Sequence, residues 1–590
     1  MLLHQIKKPV ALLGIFIGSI FSTANAQGFL HAEGQKIVNE KGENVLLRGI
    51  GLGGWMLQEG YMLKINKEAQ QYRIRERIAA LTSPQQAKKF YDSWLANHTR
   101  KADIDSLKAW GFNSVRLPMH YDLYTLAVDK EPVAGKNTWL KKGFALTDSL
   151  LAWCKANQLY LILDLHAAPG GQGSDLNIAD RDPSKPSLWD SKANQQKTIA
   201  LWKKLAERYK DEPWIGAYDL INEPNWGFEN IAEDKNGLKE QKNAPLQQLL
   251  IEITKVIREV DQKHMIIIEG NGWGNNYNGI TPDWDKNMAL SFHKYWNYNN
   301  QSDVAHILKM REKYNLPAWL GETGENSNVW FTDAIRLLEK NNIGWSWWPL
   351  KKLGFNNPSQ IRSNPQYDAI AEYMNGNGEK PGKETSYKGL MELAAATRIE
   401  NTIIHRDVID AMIRQPFTAA TLPFKEHKIL NSTTILAVDY DLGISGAAYS
   451  DKDSADYHVV TGKATPGNNG RVYRNDGVDI AADPEKPDTY YVNSIETGEW
   501  LQYTVDVAAS GIYTLKLATA ATEQGGTVSL AINGAAVGKA TDVPVSGGPA
   551  LFKETVFKNI ILGKGKQVLR VNADRGGFTL SSLQFVLEDK

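Results

Sequence analysis

At 590 residues the chain exceeds one ordinary domain and has room for roughly two to four. Lys plus Arg and Asp plus Glu balance at 67 each, without a long basic run, which excludes a phosphate-binding surface and hence a nucleic-acid partner. The single cysteine, Cys154, excludes an internal disulfide, and its setting in Leu150-Leu151-Ala152-Trp153-Cys154 is the buried face of a helix.

In chain order, Lys7 and Lys8 precede an apolar stretch from Val10 to Phe21 and the small-residue pattern Ala24-x-Ala26. Residues 1–26 read as an export signal, so a soluble secreted protein, periplasmic or extracellular, is expected. The stretch is short for a membrane span and no other segment qualifies. A hairpin with arms 35–38 and 44–47 follows, joined by the polar turn 39–43. Short apolar runs then recur at 46–51, 114–118, 160–166, 215–223, 265–269, 289–295, 318–322 and 344–348. Helix-like segments fill most intervals: 101–110, 147–157, 194–210, 246–261, 302–314 and 332–341. The interval between Glu269 and Ala289 is Gly- and Asn-rich and shows no helix. This alternation predicts an α/β fold, a (β/α)₈ TIM barrel over 27–385. A partly helical appendage and linker is expected over 386–432. From 433 to 590 short alternating segments with Gly, Asn and Asp turns predict an all-β sandwich of jelly-roll type.

Two of the runs end in acids. The run from Ile215 to Ile221 stops at Asn222-Glu223-Pro224, because proline cannot continue a ladder. The run from Pro317 to Leu320 stops at Gly321-Glu322. Two carboxylates on one edge of a parallel sheet are what glycoside hydrolysis requires, one to protonate the leaving oxygen and one to attack or to activate water. Arg116, His166, His293, Tyr295 and Trp348 fall at other strand ends, where barrel enzymes place their chemistry. Trp55, Trp226, Trp273 and Trp296 stand in Gly/Asn-rich or polar contexts where flat rings suit sugar faces, with core packing as the alternative for each. There is no HExxH or cysteine-rich spacing and no Gly-x-Ser-x-Gly elbow, so neither a metal nor a cofactor is expected.

Arg116 in Val-Arg-Leu-Pro, Asp164-Leu165-His166, Leu220-Ile221-Asn222-Glu223-Pro224, His293-Lys294-Tyr295, Gly321-Glu322 and Trp345-Ser346-Trp347-Trp348 occur in family order. With them residues 29 to about 375 resemble glycoside hydrolase family 5, a family of retaining (β/α)₈ glycosidases. The resemblance implies Glu223 as general acid/base and Glu322 as nucleophile. Arg116 would keep Glu322 ionised, Asn222 would bond the sugar 2-hydroxyl, Tyr295 would donate to Glu322, and His293 would hold substrate or Glu223. Trp348 would floor the subsite before the cleaved bond, with Trp345 or Trp347 as alternatives. His166 and Trp226 complete the expected substrate-binding set. The segments Arg48 to Trp55 and Asp164 to Gln172 look like the β-glucan-cleaving members, including exo-acting β-1,3-glucanases, while β-1,4- or β-1,6-glucanase and β-mannanase activity stay open. The expected partner is a polysaccharide or oligosaccharide, and a monomer is expected. A non-catalytic glycan-binding barrel would predict loss of one carboxylate.

From about 433 the chain resembles carbohydrate-binding module family 6, through Val472 to Ile480, Gly498 to Tyr503 and Gly576 to Leu580. It departs at Gly547-Gly548-Pro549, where the family often has Gly-Gly-Trp, and at Phe578-Thr579, where it often has Phe-Asn. A usual stacking ring and a usual amide are therefore missing. Asp439 and Asp441 are expected to be solvated loop acids, with a structural calcium as the alternative.

Overall fold

Eight parallel strands close into a barrel: β1 (Arg48–Gly51), β2 (Ser114–His120), β3 (Tyr160–Ala167), β4 (Ile215–Asp219), β5 (Met265–Glu269), β6 (Met288–Lys294), β7 (Ala318–Gly324) and β8 (Gly344–Trp348), with β8 paired to β1. The computed structural model describes residues 28–452, 471–486 and 488–588, so the expected export signal lies outside the described residues. Strand residues are buried almost throughout, as an all-parallel sheet covered by helices requires.

The helices pack on the barrel by one apolar stripe. In α1 (Ala244–Arg258) the buried Leu246, Leu249, Leu250, Ile253 and Ile257 recur at three- and four-residue spacing. Each contributes roughly 1.5–3 kcal/mol on burial. A helix that ends cleanly shows how sequence sets the boundary: Lys101–Trp110 stops on Gly111, whose φ of 109° lets its N–H and that of Phe112 return to the Leu107 carbonyl. Two helices that periodicity did not single out, Gln71–Leu81 and Pro84–His98, fill the long β1–β2 connection.

The expected hairpin is a correction. The pairing joins His31–Glu33 to Lys36–Val38, and only Val38 and Asn44 bridge across the predicted turn. The cause is Asn39, whose Oδ1 accepts from the N–H groups of Lys41 and Glu43 and closes a side-chain turn in place of a ladder. A second correction concerns β4, which stops at Asp219, so Glu223 lies four positions beyond the ladder.

Past the barrel come helices Pro365–Asn375, Lys383–Ala396 and Arg406–Ile413. The C-terminal region is two six-stranded sheets face to face. One centres on Trp500–Val507, Gly565–Arg575 and Thr527–Ile532, the other on Phe578–Leu587, Gly511–Ala520 and Tyr490–Ile495. Their inner faces supply a separate core that includes Tyr503, Leu515, Leu517, Val528 and Leu583. Lys428–Ile429, upstream of the expected start at 433, already pairs with Asp506 and Val507.

Candidate active site

At the C-terminal mouth of the barrel, Arg116 of β2 is the centre of a buried charge lattice. Its Nε and one terminal nitrogen donate to Asp219 Oδ2 at 3.0 and 2.9 Å, and that nitrogen also reaches Asn222 Oδ1 at 2.8 Å and Glu269 Oε1 at 3.2 Å. The other terminal nitrogen donates to Glu322 Oε1. Asp164 Oδ2 lies 3.3 Å away. Two cations, Arg116 and His293, face more carboxylates than they can neutralise. Burial, relieved in part by Arg116 and reinforced by acidic neighbours, accordingly holds Asp164 and Asp219 well above the usual carboxylate range. Glu269 is the exception: burial would raise it, but His293 and Arg116 more than offset this and lower it.

Glu223 and Glu322 form the open side of this lattice, 7% and 4% exposed, with carboxylate oxygens within 4.8 Å of each other. Glu322 is held by Arg116 and, at 3.2 Å, by the Tyr295 hydroxyl, which donates to Oε2. Beside it Gly321 has no room for a side chain, since a Cβ would come within 2.3 Å of Ser291 Oγ. Glu223 has a φ of 43°, a conformation costing about 1–3 kcal/mol in a non-glycine residue. Its N–H donates to Glu269 Oε2 at 2.7 Å, which helps hold the turn.

His293 Nδ1 lies 2.7 Å from Glu223 Oε1 and its Nε2 3.1 Å from Glu269 Oε1. Burial alone would discharge this ring, but the carboxylates of Glu269, Glu322 and Glu223 more than compensate and raise it well above the ordinary histidine value. His166 goes the other way. Burial pushes it down to about 3, so it is a neutral ring that donates from Nδ1 to Asp164 at 2.7 Å and accepts at Nε2 from the Asn222 amide at 3.2 Å. Asn222 is thereby engaged at both ends, by Arg116 and His166. Trp348 stacks on His166 with ring centres 5.1 Å apart and planes 5° from parallel, and its Nε1 donates to the Tyr61 hydroxyl at 3.0 Å. Trp345 and Trp347 are fully buried in the core.

Of the seven expected substrate-binding residues, Arg116, His166, Asn222, His293, Tyr295 and Trp348 converge on the two glutamates. Trp226 sits further out, 8% exposed, with the Arg181 guanidinium 4.9 Å over its ring. Trp55 is core, its Nε1 bonded to the Leu95 carbonyl, whereas Trp296 is 42% exposed at the rim. A separate cleft of about 430 Å³ is lined by Asn66, Asp175, Asn177, Lys235, Asn236 and Trp273 among others, and by neither glutamate.

Residues 78–354 match the family model described as Cellulase (glycosyl hydrolase family 5). The barrel is a glycosyl hydrolase family 5 domain. Residues 471–586 match the model for carbohydrate binding module family 6. The family 5 assignment makes the protein a glycosyl hydrolase. Among curated relatives, a Beta-xylosidase of Phanerodontia chrysosporium is 27% identical over 58% of this chain and 74% of its own length. Endoglucanase C of Acetivibrio thermocellus is 24% identical over 52% of this chain and 92% of its own. The solved endoglucanase Cel5A of Thermotoga maritima aligns over 50% of this chain and 90% of its own at 20% identity and a TM-score of 0.34.

Around the family 5 site, four acids were not singled out by sequence. Asp219 and Glu269 end strands and Asp164 lies within β3, three residues before its end, positions shared with many other residues. Glu59 comes from the loop after β1, its carboxylate 3.9 Å from His166 Nε2 and raised well above its usual range by burial and by the charges of Glu322, Glu223 and Glu325. In the family 6 region, Asp439 and Asp441 are a correction to the expectation of solvated acids. Both are buried; Tyr473 and Lys425 donate to Asp439, and Thr504 donates to Asp441 from its N–H at 2.8 Å and its hydroxyl at 2.7 Å. Thr579, standing where the family often has an amide, donates to the Pro549 carbonyl at 2.6 Å, so the two departures are bonded to each other.

Proposed function

We propose that the protein is a secreted, retaining glycosidase that cleaves β-glucosidic bonds in a β-glucan by double displacement. One observation carries the reading: an oxygen of Glu223 and one of Glu322 lie within 4.8 Å of each other, in keeping with the ~5–5.5 Å between the carboxyl groups of retaining enzymes rather than the ~6.5–9.5 Å of inverting ones. Glu322 attacks the anomeric carbon, the bond to the leaving oxygen breaks, and that oxygen takes a proton from Glu223. Water then attacks the same carbon, gives its proton to Glu223, and releases Glu322. Arg116 and the Tyr295 hydroxyl donate to Glu322 and aim it, which pre-organises the nucleophile before substrate arrives. His293 holds Glu223 in place. Asn222, with one amide N–H beyond its bond to His166, serves the sugar 2-hydroxyl, and Trp348 with Tyr61 walls the subsite before the cleaved bond. The β-glucan assignment draws on the β1 and β3 loops and on the endoglucanase among the relatives, and secretion on the signal at 1–26.

The test is reducing-sugar release by the mature protein on a panel of β-1,3-, β-1,4- and β-1,6-glucans and mannan, with Glu322→Gln alongside. Wild type should release sugar from a glucan, with the anomeric configuration retained, and the variant should lose at least about a thousandfold. Release from mannan alone would replace the substrate. No release from any polymer would return the barrel to a binding role.

A further inference from the structure

The sandwich does not stand apart from the active site. Its loop 471–479, which opens the segment matched to the family 6 module, is docked on the barrel loop that immediately follows the proposed nucleophile strand. Asn475, 1% exposed, makes the junction. Its side-chain amide donates to the Asn326 carbonyl at 2.9 Å and to Asn328 Oδ1 at 3.1 Å, and its carbonyl accepts from the Asn328 N–H at 2.8 Å. Its own N–H donates to Asp407 Oδ2 at 2.7 Å, and the same oxygen accepts from the Asn328 amide at 2.8 Å. Three segments distant in sequence thus close one buried polar ring. Removing one partner would leave the others desolvated without a bond, which is why such rings specify a single arrangement.

The two sides of the junction are stiff for separate reasons. On the sandwich, Arg474 is fully buried, bonded to Asp476 and to the carbonyls of Tyr440 and Asp441, and packed 3.7 Å over the Tyr440 ring. On the barrel, Gly324 (φ 141°) has its Cβ position blocked by the Trp348 carbonyl, and Ser327 caps the helix Asn328–Lys340. Between them lies Glu325, at φ 52°. Its carbonyl accepts from Trp296 Nε1 at 3.3 Å, and its carboxylate pairs with Lys352 at 2.5 Å. The segment 324–328 therefore links the strand bearing Glu322, the rim tryptophan and the sandwich.

We infer that the sandwich acts on catalysis as a brace, with Asn475 as a positioning residue that holds the loop after β7 and, through it, the end of the strand carrying Glu322. This rests on the reading of Glu322 as nucleophile. A module tethered only to deliver the enzyme to polymer would have no need of such a junction, and its effect would vanish on a small soluble substrate.

The experiment uses the full chain and two readouts. In Asn475→Ala, amide hydrogen exchange across 324–328 should quicken by at least tenfold while β2 to β5 stay as protected as in wild type. On a soluble oligosaccharide of the linkage found active, kcat should fall between about ten- and a hundredfold with KM moving less than twofold. Asn475→Asp, which keeps the backbone bonds but sets a buried carboxylate oxygen against the Asn326 carbonyl and Asn328 Oδ1, should lose at least as much as Asn475→Ala. Exchange and kcat both within twofold of wild type would overturn the brace. Should neither variant fold, wild type decides: an Asn328 amide that exchanges as slowly as the sandwich core upholds the junction, and one that exchanges like an open loop overturns it. An inactive wild type would sink the proposed function while leaving the exchange result to stand or fall alone.

Discussion

Arg116 in the barrel and Arg474 in the sandwich are both fully buried guanidiniums, and they do different work. Among the described residues Arg474 bonds one carboxylate, Asp476, and the backbone carbonyls of Tyr440 and Asp441, with its faces against aromatic rings. Its donors meet one acid and two backbone carbonyls, and the result is a fixed loop. Arg116 meets Asp164, Asp219, Glu269 and Glu322 at once, with Glu223 across the cleft. Its site is oversupplied with acids, and the surplus faces the opening. In a desolvated cleft such a surplus stabilises the positive charge that grows on a sugar ring as its glycosidic bond breaks, and the protein has met the reorganisation cost in advance. A buried cation matched to one acid and to backbone carbonyls gives rigidity; one that joins several acids beside an opening gives a field.

Breaking that contrast starts at Glu223, the proposed acid. Glu223→Ala should cost about 10²–10⁴ in kcat on natural glycosides, and much less on an aryl glycoside whose leaving group needs no proton. Equal losses on both would remove Glu223 from the acid role. The arginines come next. Arg116→Met should destabilise the barrel by about 3–5 kcal/mol, because Glu269, buried and held low by His293 and Arg116, loses a counter-charge, and Glu322 and Asn222 lose their donor. Arg474→Met should cost less, since Asp476, already raised by burial against the pull of Arg474, can keep a proton. Denaturant unfolding of the two variants checks this, and a sandwich variant as unstable as the barrel one would erase the distinction.

The barrel was legible because each strand is an uninterrupted buried run between amphipathic helices, a signal that survives errors of a few residues. The end of β4 was not. Leu220 and Ile221 are as apolar as the strand, and the Leu220 N–H still reaches the Ile267 carbonyl at 3.1 Å, yet the chain is already turning toward Glu223. Nothing in the letters separates a strand residue from a buried turn residue there. The two glutamates were legible from their Pro and Gly neighbours. Glu269 and Asp219 were not, because an acid at a strand end acquires meaning only from the arginine it faces, here 153 and 103 positions away. Asn475 is harder still: its partner Asn326 is 149 residues distant, and an asparagine in a loop carries no mark of what it will touch.

The smallest effect concerns two histidines that burial treats alike and neighbours treat oppositely. Burial alone would lower His120, but Asp122 Oδ1 at 2.8 Å and Asp180 Oδ2 at 3.0 Å overcome it and raise the ring to about 9. His166 has Asp164 as close, yet Asp164 sits well above the usual carboxylate range and adds little charge, so burial prevails and the ring falls to about 3. Linkage then gives opposite slopes. For His120 the folded pKa lies above the unfolded value of ~6.5, so its contribution is complete below about pH 6.5 and is lost as pH rises through about 9. The loss is at most about 3 kcal/mol, shared with Asp122 and not additional to it. For His166 the folded state binds its proton less readily, so the penalty grows as pH falls from about 6.5 toward 3. His120→Gln should therefore be less stable than wild type at pH 6 and converge on it by pH 9.5, followed by unfolding midpoints across that range. A constant gap would mean that the ring is neutral throughout, and that Asp122 and Asp180 hold it by hydrogen bonds alone.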